Sequence, residues 1–213
     1  MQGLELAKRY YEEVGRPMLE RDFPELLPRL AAGLVGEGSE CLGFDDAISQ
    51  DHDFGAGFDL WLSAEDYNQY GKALQDAYDR LPGEFAGIPA RLTSARGGGR
   101  VGVFEIEAFY SRFIGMEQPP RSLMRWLHLP EDKLAAVTGG AVFEDGLGEF
   151  SAVREELRKY YPEDVRIKKI AARAAKMAQS GQYNYGRCMR RGDTVAAMLA
   201  LDEFVRQAIS MVY

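Results

Sequence analysis

Leu30-Ala-Ala-Gly-Leu-Val35 runs directly into Gly36-Glu-Gly-Ser39, and after eleven intervening residues Asp51-His-Asp53 leads into Phe54-Gly-Ala-Gly-Phe-Asp-Leu-Trp-Leu62. The first apolar run is too short for a helix of its own and is bounded by glycines, which predicts a buried strand. The segment from Asp51 to Leu62 alternates and carries Phe58, Leu60 and Leu62, which predicts a second strand, with Gly55 and Gly57 marking a bulge or bend. Two strands set among helical patterns place the chain in the α+β class. The expected architecture is a mixed sheet flanked by helices, followed by an α-helical C-terminal region.

Upstream, Leu4, Ala7, Tyr11, Val14 and Met18 fall at three- and four-residue spacings and predict a helix over roughly 3–21, broken by Phe23-Pro24 through Pro28. Downstream, Ser63-Ala-Glu-Asp66 reads as a capped helix start, and the helical pattern continues to Arg80. Residues 88–95 and 100–107 read as a hairpin around Gly97-Gly98-Gly99. That glycine run is a turn and not a phosphate loop, because no helix and no Lys-Ser/Thr follows it. Short helices are expected near 121–128, 130–137 and 151–160. The clearest helix spans 165–180, with Arg166, Lys169, Arg173 and Lys176 on one face and Ile167, Ile170, Ala174 and Met177 on another, read as basic and packed respectively. A last helix starts at Asp193 or Thr194 and still follows its pattern at Tyr213 without a stop signal, so the helical region is expected to continue beyond the chain given. The expected division is a first domain over 1–118 and a helical domain over 119–213.

The 213 residues, 46% hydrophobic and 28% charged, have the composition of an ordinary globular protein. No stretch approaches the roughly 20 apolar residues of a membrane span, and the start MQGLELAKRYYEE is amphipathic, not signal-like, so a cytoplasmic location without membrane attachment is expected. Cys41 and Cys188 are too few and too scattered for a disulfide framework or a zinc site, and Cys41 reads as a packed thiol. The net charge of −7 conceals an asymmetry: residues 166–192 hold eight basic side chains and no acidic one, while 1–165 hold 17 basic against 30 acidic. Such a block suits nucleotide phosphates or nucleic acid, or forms a solvated helix face.

Side chains two apart on a strand point to one face, so Asp51 and Asp53 are expected to project together while His52 points away. Gly38-Ser39, the spacer, then Asp51-His52-Asp53 resembles the signature of polymerase-beta-type nucleotidyltransferases, in which a hydrophobic segment leads to Gly-Ser and then to Asp-x-Asp on a strand. That resemblance implies a nucleotidyltransferase-like fold. It also implies Mg²⁺ or Mn²⁺ on Asp51 and Asp53, since hard divalent ions take carboxylate and phosphate oxygens. Two such ions about 4 Å apart would promote in-line displacement of pyrophosphate. Gly38 and Ser39 would hold the phosphates of a nucleoside triphosphate, most simply ATP. A third carboxylate usually completes such a site. Glu105 and Glu107, sharing one face of the expected strand over 100–107, are the candidates, with Glu105 preferred.

Gly36 to Asp46, Ser49 to Gly55, Tyr160 to Asp164, Gly181 to Asn184 and Arg191 to Asp193 further resemble the uncharacterised bacterial domain-of-unknown-function 4037 family. The likeness extends over nearly the whole chain, and the members of that family run on past position 213. A more distant resemblance is to aminoglycoside nucleotidyltransferases, which pair the catalytic domain with a helical one. By that analogy Lys168, Lys169 or Arg173 contacts the triphosphate. The expected activity is transfer of a nucleoside monophosphate to a hydroxyl of a small molecule or RNA. Two other functions compete with it: a non-catalytic module binding nucleotide or RNA through 166–191, and a degenerate relative acting as a sensor or interaction protein.

Overall fold

The helical spacing that starts at Leu4 produces two helices, α1 (Gly3–Tyr10) and α2 (Arg16–Asp22), joined without a break by a π-helical turn at Tyr11–Gly15. The turn brings Gly15 against the ring of Phe58, where any Cβ would collide with it. The extra residue of a π turn thus serves a close approach between helix and sheet. The computed structural model describes residues 1–46, 48–50, 54–91 and 99–212.

The expected first strand forms as β1 (Ala31–Leu34), followed by a single-turn helix α3 (Ser39–Leu42). The second strand is shorter than the sequence suggests. Among the described residues of that segment, Asp59–Leu62 forms β2, and Ala56 makes an isolated parallel bridge with Ala90. Ser63 caps α4 (Ala64–Tyr78) by accepting from the Asp66 amide at 3.2 Å, as its position before an acidic first turn predicts. Next come β3 (Glu84–Phe85), β4 (Ile88–Pro89), β5 (Gly102–Glu105) and α5 (Ile106–Ile114). The described residues of the expected hairpin of 88–95 with 100–107 pair with other strands. β4 pairs with β3, while β5 lies parallel to β2 with Asp59 opposite Gly102 and Leu62 opposite Glu105. Helix α4 makes the crossover that a parallel pair requires. On β5, the amide of Val103 is bonded by Gln75 Oε1 of α4 at 2.9 Å.

From Pro120 onward the order is α6 (Leu123–His128), α7 (Glu131–Thr138), β6 (Ala141–Asp145), α8 (Glu149–Arg158), α9 (Glu163–Met177), a π-helical segment (Ala178–Tyr185), α10 (Gly186–Arg190) and α11 (Thr194–Val212). Strand β6 breaks the all-helical reading of this region. It pairs antiparallel with β1 to complete a mixed sheet of order β5-β2-β1-β6. No helix among the described residues is long and apolar enough to cross a membrane.

The chain divides into two compact units, Met1–Pro119 with Asp132–Lys159, and Pro120–Glu131 with Tyr160–Tyr213. The first contains the sheet. The two-residue period of β2 sorts its side chains: Leu60 and Leu62, with Phe58 just before them, join Leu6, Tyr10, Tyr11, Leu19 and Leu74 in the main core. Trp61 goes to the other face, where it stacks on Phe150 of α8 at 3.9 Å and meets Phe109 of α5 edge-on at 5.3 Å. The Tyr78 hydroxyl donates to the Phe58 carbonyl at 2.9 Å and accepts from the Phe58 amide at 3.1 Å, fixing the residue that enters β2.

The second unit buries far less. Pro120, Trp126, Leu129, Tyr161, Val165, Ser180 and Ala197 are its buried residues among those described. The expected sorting of α9 holds only in part: Arg166 and Lys176 are exposed and Met177 is half-buried, but Ile167 and Ile170 are exposed, whereas Lys169 and Arg173 are half-buried on the carboxylate of Glu131. A charge partner on the neighbouring element, invisible to helical periodicity, decides which face packs.

Phe58 is fully buried and in ring contact with Tyr10, Tyr11 and Tyr78. Phe58→Ala is therefore expected to lower the unfolding free energy by about 3–5 kcal/mol in urea denaturation, with the m-value unchanged.

Candidate functional site

Strand β1 ends in a reversal. Gly36 and Gly38 adopt φ of 135° and 129°, Ser39 starts α3, and Gly43 closes it in the left-handed region. Side chains other than hydrogen are strained at those angles. At Gly38 space is also short: a Cβ would lie 2.6 Å from both Glu40 Oε2 and Arg100 Nη2. The backbone of the turn is thus held against charged groups with no side chain in between.

Those groups belong to a polar layer under and around the turn, buried at Glu40 and reaching the surface at Glu37. Glu40 is buried and paired with the equally buried Arg91, which the Ala56–Ala90 bridge brings in; the Arg91 amide donates to the Ala56 carbonyl at 2.7 Å. Arg100 Nη2 donates to the Glu37 carbonyl at 2.5 Å, and Lys133 Nζ lies 3.0 Å from Glu37 Oε1. The ammonium of Lys133 holds the Glu37 carboxyl below the usual range. Arg112 of α5 donates to the Gly99 carbonyl at 3.5 Å. Cys41, in α3, is buried, and burial pushes its thiol up to about 12, so it is a packing group and not a nucleophile.

Asp59 is the group that most constrains this layer. It is fully buried on the Trp61 face of β2, and its Oδ2 accepts from the Val35 amide at 3.2 Å, tying β2 to the start of the turn. Its Oδ1 has no hydrogen-bond partner among the described residues. Burial pushes its carboxyl well above the usual carboxylate range, only partly opposed by the Val35 amide and by Arg91.

The residues expected to form a site are placed as follows. Gly38 and Ser39 are together at the turn, over Glu40 and Arg91 and against Arg100. Asp51 and Asp53, with His52 between them, lie outside the described residues. Glu105 is half-buried at the end of β5, opposite Leu62. The turn leaves β1 at the other end of the sheet, where Gly33 faces Asp59 and Asp59 faces Gly102. Glu105 therefore sits about 10 Å further along its strand, at three residues of strand rise. Glu107 does not share a strand face with it, because β5 stops at Glu105 and Glu107 lies in the first turn of α5. Lys168 is exposed, and Lys169 is bonded to Glu131 Oε1 at 2.9 Å and to the Leu129 carbonyl at 3.0 Å, both in the second unit. No group of three or more His, Cys, Asp or Glu suited to a metal ion occurs among the described residues.

Sequence reasoning passed over Glu40, Asp59, Arg91, Arg100 and Lys133. Asp59 carried a signal, being the single charge in the otherwise apolar Phe58-Asp-Leu-Trp-Leu62. The others come from separate parts of the chain, and no local pattern links them.

A carboxyl whose folded-state value is raised stays protonated in the fold while the unfolded chain ionises. Stability is then lost as pH rises from the unfolded value towards the folded one. Asp59→Asn keeps an acceptor for Val35 and removes this loss. The variant is expected to gain stability relative to the parent as pH is raised from 4 to 7 in thermal denaturation. Parallel curves for the two proteins would mean that Asp59 is ionised in the fold.

Residues 126–213 match the family model described as Domain of unknown function (DUF4037). The match covers α6 to α11 and under half of the chain, so the turn at Gly38-Ser39, Asp51, Asp53 and Glu105 all lie outside it. No curated protein and no solved structure matches the chain. The C-terminal part of the chain is thus similar to the DUF4037 family from α6 onward.

Proposed function

We propose that the chain is a metal-dependent nucleotidyltransferase that moves a nucleoside monophosphate, most simply AMP from ATP, to a hydroxyl of a small molecule or RNA. The observation that carries this reading is the turn after β1. It has two glycines at positive φ and no side chain at the point of closest approach, and Arg100 and Lys133 both bond to Glu37 within it. Such a turn suits phosphate oxygens, because backbone N–H groups can approach closely and nearby cations offset the charge.

In this reading the Gly38-Ser39 backbone and the Ser39 hydroxyl hold the outer phosphates, and Arg100 with Lys133 supplies positive charge beside them. Asp51 and Asp53 bind the magnesium or manganese ion. When bound, that ion polarises the phosphoryl oxygens and eases ionisation of the acceptor hydroxyl. The acceptor oxygen then bonds to the α-phosphorus as the bond to the bridging oxygen breaks, pyrophosphate leaves and the hydroxyl proton is released. Glu105 is left out of this assignment, since it stands at the far end of β5 from the turn. Lys168 and Lys169, which belong to the second unit, are not part of this assignment.

Magnesium and ATP together are expected to raise the melting temperature by several degrees, corresponding to about 2.7 kcal/mol at a ligand concentration a hundredfold above Kd. Asp51→Asn combined with Asp53→Asn is expected to abolish the rise. Gly38→Ala, strained at its φ and crowded by Glu40 and Arg100, is expected to reduce it. Equal Mg-ATP binding by the parent and the double variant contradicts the assignment. So does salt-sensitive RNA binding that ignores both metal and the aspartates as the only activity found.

A further inference from the structure

The second unit contains a cavity of about 290 Å³, remote in sequence from the Gly38 turn, and its walls carry the chemistry of an anion site. Arg166, Lys169 and Arg173 follow one another at three- and four-residue spacing on α9, so a single helix face presents all three to the cavity. Glu131 is the only carboxylate among the described residues that line it. One oxygen of that carboxylate, Oε1, takes both Lys169 and Arg173, and Arg166 forms no ion pair among the described residues. The lining therefore carries three cations against one anion, an excess that suits a doubly charged ligand.

Lys169 and Arg173 are held in place before any ligand arrives. Lys169 Nζ also donates to the Leu129 carbonyl and sits 4.5 Å above the centre of the Tyr161 ring. The Tyr161 hydroxyl donates to the same carbonyl at 2.6 Å. Binding then orders few side chains, which favours affinity.

Tyr160 adds a second, independent signal. Its φ is +69°, in the left-handed region just past the end of α8, where glycine is the usual residue. Its ring lines the cavity and is 54% exposed, so the strain is not repaid by burial in a core. A backbone held in a sparsely populated region points to a functional constraint. Ile170 and Met211, both partly exposed, supply apolar surface in the same cavity.

We propose that this cavity binds a small organic monophosphate carrying a flat ring. Its phosphate sits on Arg166 and the Arg173 and Lys169 pair, and its ring lies against Tyr160 and the apolar surface of Ile170 and Met211. This site lies wholly within the second unit and requires neither metal nor the Gly38 turn.

Isothermal titration calorimetry on the full chain in the presence of EDTA tests it, with AMP, phenyl phosphate, adenosine and inorganic phosphate as probes. At least one of the two ring phosphates is expected to bind ten-fold or more tightly than inorganic phosphate or adenosine. Arg166→Ala, at an exposed position, is expected to weaken that binding about ten-fold. Tyr160→Gly, which relieves the backbone, is expected to keep or raise the melting temperature while weakening the ring phosphate and leaving inorganic phosphate unchanged. Asp51→Asn with Asp53→Asn leaves all of these values as in the parent, which separates this site from the nucleotidyltransferase reading. The proposal is overturned if neither ring phosphate exceeds inorganic phosphate, or if Arg166→Ala and Tyr160→Gly both bind like the parent.

Discussion

A carboxyl group with no water around it fixes the arrangement on which the rest of the first unit depends. Asp59 lies inside the sheet, and its bond to the Val35 amide joins the start of β2 to the residue where β1 gives way to the turn. An ionised carboxylate there would carry a large desolvation penalty, and the raised proton affinity of Asp59 is the fold's answer to it. Glu40 and Arg91 solve the same problem differently, each buried charge neutralising the other. A buried pair of this kind adds little net stability, but loss of one partner strands the other. A buried carboxyl and a buried ion pair beside one glycine turn are costly to place in a protein core.

The sheet explains why the turn is where it is. β1 lies between β2 and β6, antiparallel to both, so the chain leaving Leu34 emerges at the end where β2 and β5 begin. Residues from five separate stretches meet there: Gly36 to Glu40, Asp59, Arg91, Arg100 and Lys133. The opposite end of β5, where Glu105 stands, is reserved for the entry into α5. Sheet register, more than side-chain identity, thus decides which acids can share a site with Gly38 and Ser39.

Much of this was legible in the residues, and the failures share a cause. The strand at Leu30 to Val35, the cap at Ser63 and the start of the last helix at Asp193-Thr194 are written locally, in apolar runs and capping chemistry, and each forms where expected. The described residues of the expected hairpin pair elsewhere, because Val103 is buried in β5 beside β2, a partner about 40 residues away in the chain. Strand β6 was hidden because Ala141 to Asp145 is a short run between helices whose pairing partner, β1, lies more than a hundred residues earlier. On α9 the periodicity was right but did not say which residues pack, since Glu131 draws Lys169 and Arg173 inward while Ile167 and Ile170 stay exposed. Gly38 and Ser39 were singled out by their spacing to Asp51 and Asp53, which lie outside the described residues. The buried charges beneath them were not, because each is supplied by a different element.

The central claim is that the turn from Gly36 to Ser39 is a platform for phosphates. The most direct measurement is the backbone amide chemical-shift change of the isotope-labelled chain on titration with Mg-ATP. The largest changes are expected at Gly36, Gly38 and Ser39, with smaller ones at Val35 and around Arg100. Changes confined to the second unit, with the amides of the turn unmoved at saturation, would contradict the account.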